Sequence, residues 1–455
     1  MKKTLFLASS AMTMILAGCT SEAYELEKSV QQKSRNQVTL TVAAVTKSPD
    51  LVGDPETRIA YGTEDATWEE GDKIFLIKSD GTTITLTLSD GAGTSTGSFT
   101  STDAVTAGSY TPYAVSATSL SKGYVSVSDG AISLDLSTAG GGTLADALEH
   151  DILKGDALEL TDDQAEAEIT GLTTHILSYL RFRFTSESKA IASIGMKSAG
   201  GVYKTVTIAS DGTVSGSDAS TDVVSVTASD DGAGTYAGYF AVYGSTNTSL
   251  LAHAEDADGG KYSRLVSTKE ATYTAGTVYG KTFTLSEDMV TADASGTLSD
   301  QTWKNLGLSV KWSEYYVYTS EEFAYNRSFD TNGNTDPPAS WSGWRLPTRE
   351  EVNELYYAST LEWISSDTGP NGMKFNCNGN YIAMGASGYH YDWEVNDRDS
   401  EVGESIYFFI NEVEGSNRLW TKITNSGFSI YNAGSRCTNV RCFTYYGAMR
   451  LVCDY

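Results

Sequence analysis

The sequence predicts a mainly β chain, two β domains followed by an α+β domain, and three observations predict it. From about residue 38 to 286 the chain is rich in Thr, Ser, Val, Ala, Gly and Asp, in short alternating runs bounded by Asp-Gly or Gly-Gly, the pattern of strands joined by tight turns. Seven of the eight tryptophans, Trp303 to Trp420, lie after residue 300, and only Trp68 precedes it. That shift in composition marks a domain boundary. One stretch alone has a helical face: Arg349 to Leu361 carries Val352, Leu355, Tyr356 and Leu361 at helical spacing, with Thr348 to cap and Glu350 and Glu351 to suit the first turn's dipole.

Taken in order, Lys2 and Lys3 precede an apolar run from Leu5 to Ile15, followed by Leu16-Ala17-Gly18-Cys19. This is the layout of a signal peptide (residues 1–18), and the run is short of the roughly 20 apolar residues that cross a bilayer. Residues 19–37 read as a tether. The first β domain is expected over 38–145, with clear strands at Gln37 to Val42, Lys73 to Ile77 and Thr83 to Leu88, the last two joined by Ser79-Asp80-Gly81. The second is expected over 146–290, because Gly140 to Asp151 is the one good break, and its strand from Tyr203 to Ile208 ends in Asp211-Gly212. Regular short strands with turn signals point to sandwiches or barrels. In the third domain, 300–455, Asn305 to Trp312 reads as an early strand; short strands are also expected at Gly372 to Phe375, Gly379 to Met384, Ile406 to Ile410, Arg418 to Lys422 and Arg450 to Val452.

Composition excludes some functions. With 40% hydrophobic residues over 455 positions the chain can bury several cores, and its net charge of -26 with no basic stripe argues against nucleic acid. Export permits disulfides, but the pairing of Cys377, Cys437, Cys442 and Cys453 stays open among the alternatives four cysteines allow. No CxxC pair exists and His150, His175, His253 and His390 are scattered, so no zinc site is expected. His175, preceding an apolar stretch, reads as a packed residue. Gly140-Gly141-Gly142 lacks the Lys-Ser/Thr of a phosphate loop.

Leu16-Ala17-Gly18-Cys19 resembles the bacterial lipobox, which implies that Cys19 becomes the lipid-modified first residue; several acyl chains anchor a protein stably. With Thr20 after it, the rule for such lipoproteins favours the outer membrane, and Glu22, Glu25 and Glu27 are similar to the acidic signal that sends Bacteroidetes lipoproteins to the cell surface. Thr57-Arg58 followed by Trp68-Glu69-Glu70-Gly71-Asp72-Lys73-Ile74 resembles the opening of the Bacteroidetes fimbrillin family. Further matches are Ala107 to Tyr110, Tyr113 to Val115, Asp151 to Leu153, His175 to Phe182, Gly238 to Tyr243 and Gly276 to Tyr279, so the resemblance covers about residues 38 to 286. It implies two Greek-key β-sandwiches of a type V pilus subunit that assembles with other subunits by strand addition, after an Arg-specific protease removes the N-terminal strand. Arg35 and Arg58 are the candidate cut sites. From 303 to 455, Gly307 to Trp312, Trp344-Arg345-Leu346-Pro347-Thr348-Arg349-Glu350-Glu351, Gly379 to Ile382 and Arg450-Leu451-Val452 resemble the Fibrobacter succinogenes major paralogous domain. That resemblance implies a C-type-lectin-like fold. In this motif Trp344 and Leu346 are expected to pack, Pro347 to set the turn and Arg345 to satisfy buried carbonyls.

In that fold the last loops and strands form the exposed face, which makes Trp420, Thr424, Asn425, Ser429, Tyr431, Asn432, Ser435, Arg436, Thr438, Asn439, Arg441, Phe443 and Tyr445 the ligand-binding candidates. Tyr offers wide contact with few rotors and Asn, Ser and Thr adaptable hydrogen bonds, as in antibody paratopes. The stretch also resembles the variable region of retroelement-diversified lectin-fold proteins. The expected function is a surface lipoprotein acting as a tip or accessory pilus adhesin, with a surface glycan or protein as ligand; a monomeric surface glycan-binding lipoprotein is the alternative. No cofactor is required, although Asp392, Glu394, Asn396, Asp397, Asp399 and Glu401 supply oxygens of the kind Ca²⁺ takes. No enzyme activity is expected: formylglycine-generating enzymes share the lectin-like fold and use C-terminal cysteines, but Cys437 and Cys442 lack their surrounding motifs.

Overall fold

The computed structural model describes residues 40–46, 52–53, 67–169, 172–246, 249–268, 271–317, 319–321, 329–330, 337–365, 371–392, 398–414, 417–431 and 444–455. Cys19, Arg35 and Arg58 lie outside them, as do Asn432, Ser435, Arg436, Thr438, Asn439, Arg441 and Phe443. The chain is mainly β, with four short helices among the described residues. None of those helices is long and apolar enough to cross a membrane.

The first sheet has nine strands among the described residues. Its central strand Lys73–Lys78 pairs with Thr83–Asp90 on one side and Gly108–Val115 on the other. The Asp80-Gly81 turn between the first two is set locally: Gly81 takes φ +90° and Asp80 Oδ1 accepts from Thr82 N–H at 2.9 Å, the Asx-turn chemistry of such loops. Successive side chains of Lys73–Lys78 alternate faces, so Ile74 and Leu76 enter one core while Phe75 and Ile77 enter another. Trp68 is 1% exposed and meets Phe99 edge to face at 4.8 Å; Asp72, fully buried, accepts from Ala117 N–H at 2.8 Å and Glu69 N–H at 3.1 Å. The Trp-x-x-Gly-Asp stretch is therefore a packing and turn device. Toward the edge of this sheet, Leu40–Thr46 lies between Thr96–Ser101, antiparallel, and Glu166–Ala167, parallel, with Leu40 and Val42 fully buried.

Strand pairing crosses the division expected after residue 145. Ile152–Lys154, Leu158–Leu160, Glu166–Ala167 and Thr174–His175 all join the first sheet, while Ala131–Asp135 pairs with Val202–Ile208 in a separate four-stranded sheet. One core runs through both halves, holding Phe75 and Tyr113 together with Ile132, Tyr179, Val206 and Tyr239. The expected break from Gly140 to Asp151 is itself structured. Gly140–Gly141 pairs with Thr235–Val242, and helix Leu144–Leu148 starts at a capping box between Thr143 and Asp146. A second core lies between the sheet of Ser178–Ser186, Thr235–Val242 and Thr277–Leu285 and the sheet of Val224–Thr227, Ile191–Ser198, Leu250–Asp256 and Lys261–Ser267.

In the C-terminal region helix Arg349–Ala358 begins as its sequence dictates: Thr348 Oγ1 accepts from Glu351 N–H, and the Glu351 carboxylate accepts from Thr348 N–H at 2.7 Å. It stops earlier than expected, because Thr360–Ile364 forms a strand and Leu361 pairs with Phe375. The helix packs over three-stranded sheets, Thr360–Ile364 to Gly385 and Ser405–Glu414 to Tyr431, around Leu355, Phe375, Ile406 and Trp312. The strand expected over Asn305 to Trp312 is confined to Lys311–Ser313; before it Leu306, Leu308 and Val310 are buried from a bent segment. The bend turns on Gly307, at φ +67°, whose absent Cβ would fall 2.0 Å from Lys261 O. We expect Gly307→Ala to lower stability by about 2 kcal/mol or more in urea unfolding, since neither the backbone angle nor the neighbouring backbone can accommodate a side chain.

Candidate functional site

The candidate face rests on the hairpin formed by Asn417–Thr424 and Gly427–Tyr431. Its turn is Thr424 to Gly427, closed by the Thr424 hydroxyl, which accepts from Ser426 N–H and donates to Gly427 O, both at 3.2 Å. Asn425, Ser426 and Ser429 are exposed and Thr424 is half-buried. These small polar groups stand at one end of the hairpin. At the other end Tyr431 pairs with Trp420, while Tyr445 lies in a separate sheet, in the strand Thr444–Gly447, opposite Tyr391.

Trp420 corrects an expectation. It is fully buried, stacked on Phe409 at 5.7 Å and packed on Tyr407 at 5.3 Å, in a core with Trp341, Trp344 and Leu451. Ser405–Glu414 places Tyr407 and Phe409 on the face toward Trp420, which anchors the hairpin from within the core. Beneath the hairpin Glu401 accepts from Lys422 Nζ and Ser405 Oγ at 2.7 Å and from Tyr407 OH at 2.8 Å. Burial opposes its charge, but these donors together hold its carboxyl below the usual carboxylate range. Glu401 therefore serves the scaffold. Asp392 and Asp399 lie in paired strands, while Glu394, Asn396 and Asp397 fall outside the described residues. Among the described residues no group of three His, Cys, Asp or Glu is placed to hold a metal ion.

An aromatic cluster that sequence reasoning missed borders the hairpin. Tyr356, at the end of helix Arg349–Ala358, stacks on Phe428 at 4.8 Å, and Tyr357 meets both rings edge-on at 5.1 and 6.3 Å. All three are half-buried. The adjacent tyrosines at the helix end were the available signal, but the second partner is distant in sequence.

The Trp-Arg-Leu-Pro motif is structural, in a manner different from the one expected. Arg345 binds carboxylates as well as a carbonyl: it forks onto Glu351 at 2.6 and 2.9 Å and reaches Asp454 at 2.9 Å, with Leu346 O at 3.3 Å. Its backbone exchanges two 2.9 Å hydrogen bonds with Val452. Cys377 and Cys453 are free, buried thiols, pushed up by burial to about 12 and about 11. They are held in the protonated form, the reverse of an activated nucleophile. His175 is buried and its Nδ1 lies 2.6 Å from Asp151 Oδ2.

The region bearing this face is joined to the strand Lys261–Ser267 by a polar, buried junction. Glu354, 3% exposed, accepts from Leu265 N–H at 3.2 Å and from Ser309 N–H at 2.7 Å. Arg264 is buried beside it and donates to Ser263 O at 2.7 Å, to Gly307 O at 3.3 Å and to the Met289 sulfur. Burial lowers the Arg264 pKa against the charge of Glu354, which raises it. Asn378 donates to Leu306 O at 2.8 Å, and Tyr455 packs against the core beneath the strand while its hydroxyl donates to Asn305 Oδ1 at 2.7 Å.

On the same strands His253 pairs its Nδ1 with the Ser263 hydroxyl at 2.8 Å, and its buried Nε2 has no partner among the described residues. Burial, then Lys197, brings its pKa down to about 4. A folded-state value below the unfolded one near 6.5 means that its contribution is full above pH 6.5 and is lost as pH falls toward 4. We expect at most about 3 kcal/mol to disappear over that window, and His253→Gln to flatten this part of a stability-against-pH curve from urea unfolding.

No family model matches the chain, and no curated protein is similar to it. Among solved structures it is similar to a proposed cell adhesion protein from Bacteroides uniformis, with 16% identity and a TM-score of 0.34 over 55% of this chain and 93% of that one. It is also similar to the C-terminally truncated tip fimbrial protein Mfa3 from Porphyromonas gingivalis, with 13% identity and a TM-score of 0.27 over 50% of this chain and 81% of that one. A fimbrial protein from Bacteroides ovatus shows 9% identity and a TM-score of 0.27 over 92% of this chain and 100% of that one. At these TM-scores no assignment rests on the likenesses.

Proposed function

We propose that the chain is a cell-surface adhesin, anchored in the outer membrane through lipid on Cys19, in which two fimbrillin-like sandwiches carry a C-type-lectin-like ligand-binding domain. The observation that carries the binding role is the hairpin Asn417–Tyr431, rooted in a core by Trp420 and ending in a turn of exposed amide and hydroxyl groups. A rigid base under a small polar tip holds recognition groups at little entropic cost. To this face we assign Thr424, Asn425, Ser429, Tyr431 and Tyr445, and with them, from sequence, Asn432, Ser435, Arg436, Thr438, Asn439, Arg441 and Phe443. The ligand is a surface glycan or protein.

A place in a pilus, at its tip or as an accessory subunit, is the second part of the proposal. Leu40–Thr46 supports it, because this strand near the start of the chain fills a slot between two others and supplies two fully buried side chains. A cut after Arg58 would release it, whereas a cut after Arg35 would leave it in place. Limited digestion with an Arg-specific protease, followed by size-exclusion chromatography, tests this part. Chains cut after Arg58 are expected to form strand-exchanged oligomers and uncut chains to remain monomeric. A cut chain that stays monomeric removes the pilus role and leaves the monomeric binding lipoprotein.

A further inference from the structure

A cleft of about 600 Å³ opens where the two β halves meet, within the roughly 300–1,000 Å³ of small-ligand sites. One wall is Val224–Thr227, the outermost strand of its sheet. Ala228 N–H donates to Ala192 O at 3.0 Å, so by the two-residue alternation of an antiparallel ladder Val226 and Val224 bond inward, and the backbone groups of Ser225 and Thr227 face outward. Gly140–Gly141 and Tyr124 stand across from them.

The charges of the cleft are largely spent. Lys122 pairs with Glu149 at 2.5 Å, and Asp146 is held by Thr143 N–H at 2.9 Å and its hydroxyl at 2.8 Å. Lys204 and Asp222 remain, one of each sign, without an ion pair among the described residues; Asp222 receives only a 3.4 Å contact from Ser220 Oγ. The lining carries two ammonium groups against three carboxylates, a net charge of one minus that disfavours an anionic ligand, and the overall charge of -26 further disfavours a polyanion. The one large exposed hydrophobic on this wall is Val223, too little for the apolar anchor of a protein interface. What the cleft offers is a row of hydroxyls, free backbone donors and acceptors, one carboxylate and one ammonium.

We propose that this cleft binds a short neutral oligosaccharide, with Asp222 and Lys204 hydrogen-bonding its hydroxyls beside the free edge of Val224–Thr227. It is a second site, independent of the C-terminal face. The test titrates maltotetraose, cellotetraose, xylotetraose and mannotetraose into the full chain by calorimetry, and follows hydrogen exchange at Val224–Thr227. At least one sugar is expected to bind and to slow that exchange, and Asp222→Ala and Lys204→Met each to weaken it roughly tenfold or more, the loss of one hydrogen bond to a charged group. Both side chains lie outside the cores, so unchanged unfolding midpoints certify the fold. The proposal is overturned if none of the four sugars binds, or if both variants bind like the wild type. It also fails if binding is lost on Tyr431→Ala with Tyr445→Ala, which would place the sugar on the C-terminal face. Slowed exchange that depends on chain concentration alone would mean that a strand of a second copy occupies the edge, and overturns it too.

Discussion

Replacing Glu354 by alanine is expected to cost about 3–5 kcal/mol and to uncouple the C-terminal region from the rest of the chain. The carboxylate satisfies two backbone N–H groups from different parts of the junction, Leu265 and Ser309, and faces the buried charge of Arg264. Removing it leaves two buried donors without their acceptor and one buried cation without the charge that faces it, and each such loss carries a desolvation penalty. Seven of eight tryptophans lie after residue 300, so fluorescence reports mainly on that region. In urea the variant is expected to lose tryptophan emission before far-ultraviolet circular dichroism, where the wild type changes both together. Glu354→Gln keeps one acceptor and should recover part of the loss. Wild-type stability in Glu354→Ala, with coincident transitions, would mean that the junction carries no energy.

Trp420→Ala is expected to be destabilising on a similar scale, about 3–5 kcal/mol, through the cavity left between Phe409 and Tyr407. The consequence for function differs from that of a surface residue. At temperatures where the variant stays folded its ligand affinity should be near that of the wild type, whereas Asn425→Ala or Ser429→Ala should leave the unfolding midpoint unchanged and weaken binding. The two readouts separate anchor from contact. A Trp420→Ala protein of normal stability that no longer binds would return Trp420 to the binding face and contradict its burial.

Local signals were legible and long-range ones were not. The hairpin around Asp80-Gly81 and the start of helix Arg349–Ala358 could be read directly, since an Asx turn and a capping box are decided by residues two or three apart. Trp420 misled because it lies in a stretch rich in Asn, Ser, Thr and Tyr, and its burial depends on Phe409 and Tyr407 in the partner strand. Leu361 continues the helical spacing of Val352 and Leu355, yet its strand pairing with Phe375 wins. The break near residue 145 was plausible as composition, but Ala131–Asp135 finds its partner in Val202–Ile208, a choice no local pattern encodes. Arg345 takes two carboxylates, Glu351 six residues on and Asp454 109 residues away, and only the fold brings the second within reach.

The junction also governs how binding should be measured. Tyr455 packs against the core between the preceding sheets, and Glu354 and Asn378 bond to groups on both sides of the junction, so binding is measured on the whole chain. The most direct test is binding of the full chain to glycan and host-protein arrays, beside a variant carrying Tyr431→Ala, Arg436→Ala and Tyr445→Ala. The wild type is expected to bind a defined ligand, and the variant, with an unchanged unfolding midpoint, to bind it at least about tenfold more weakly. Equal binding by the two proteins would contradict that.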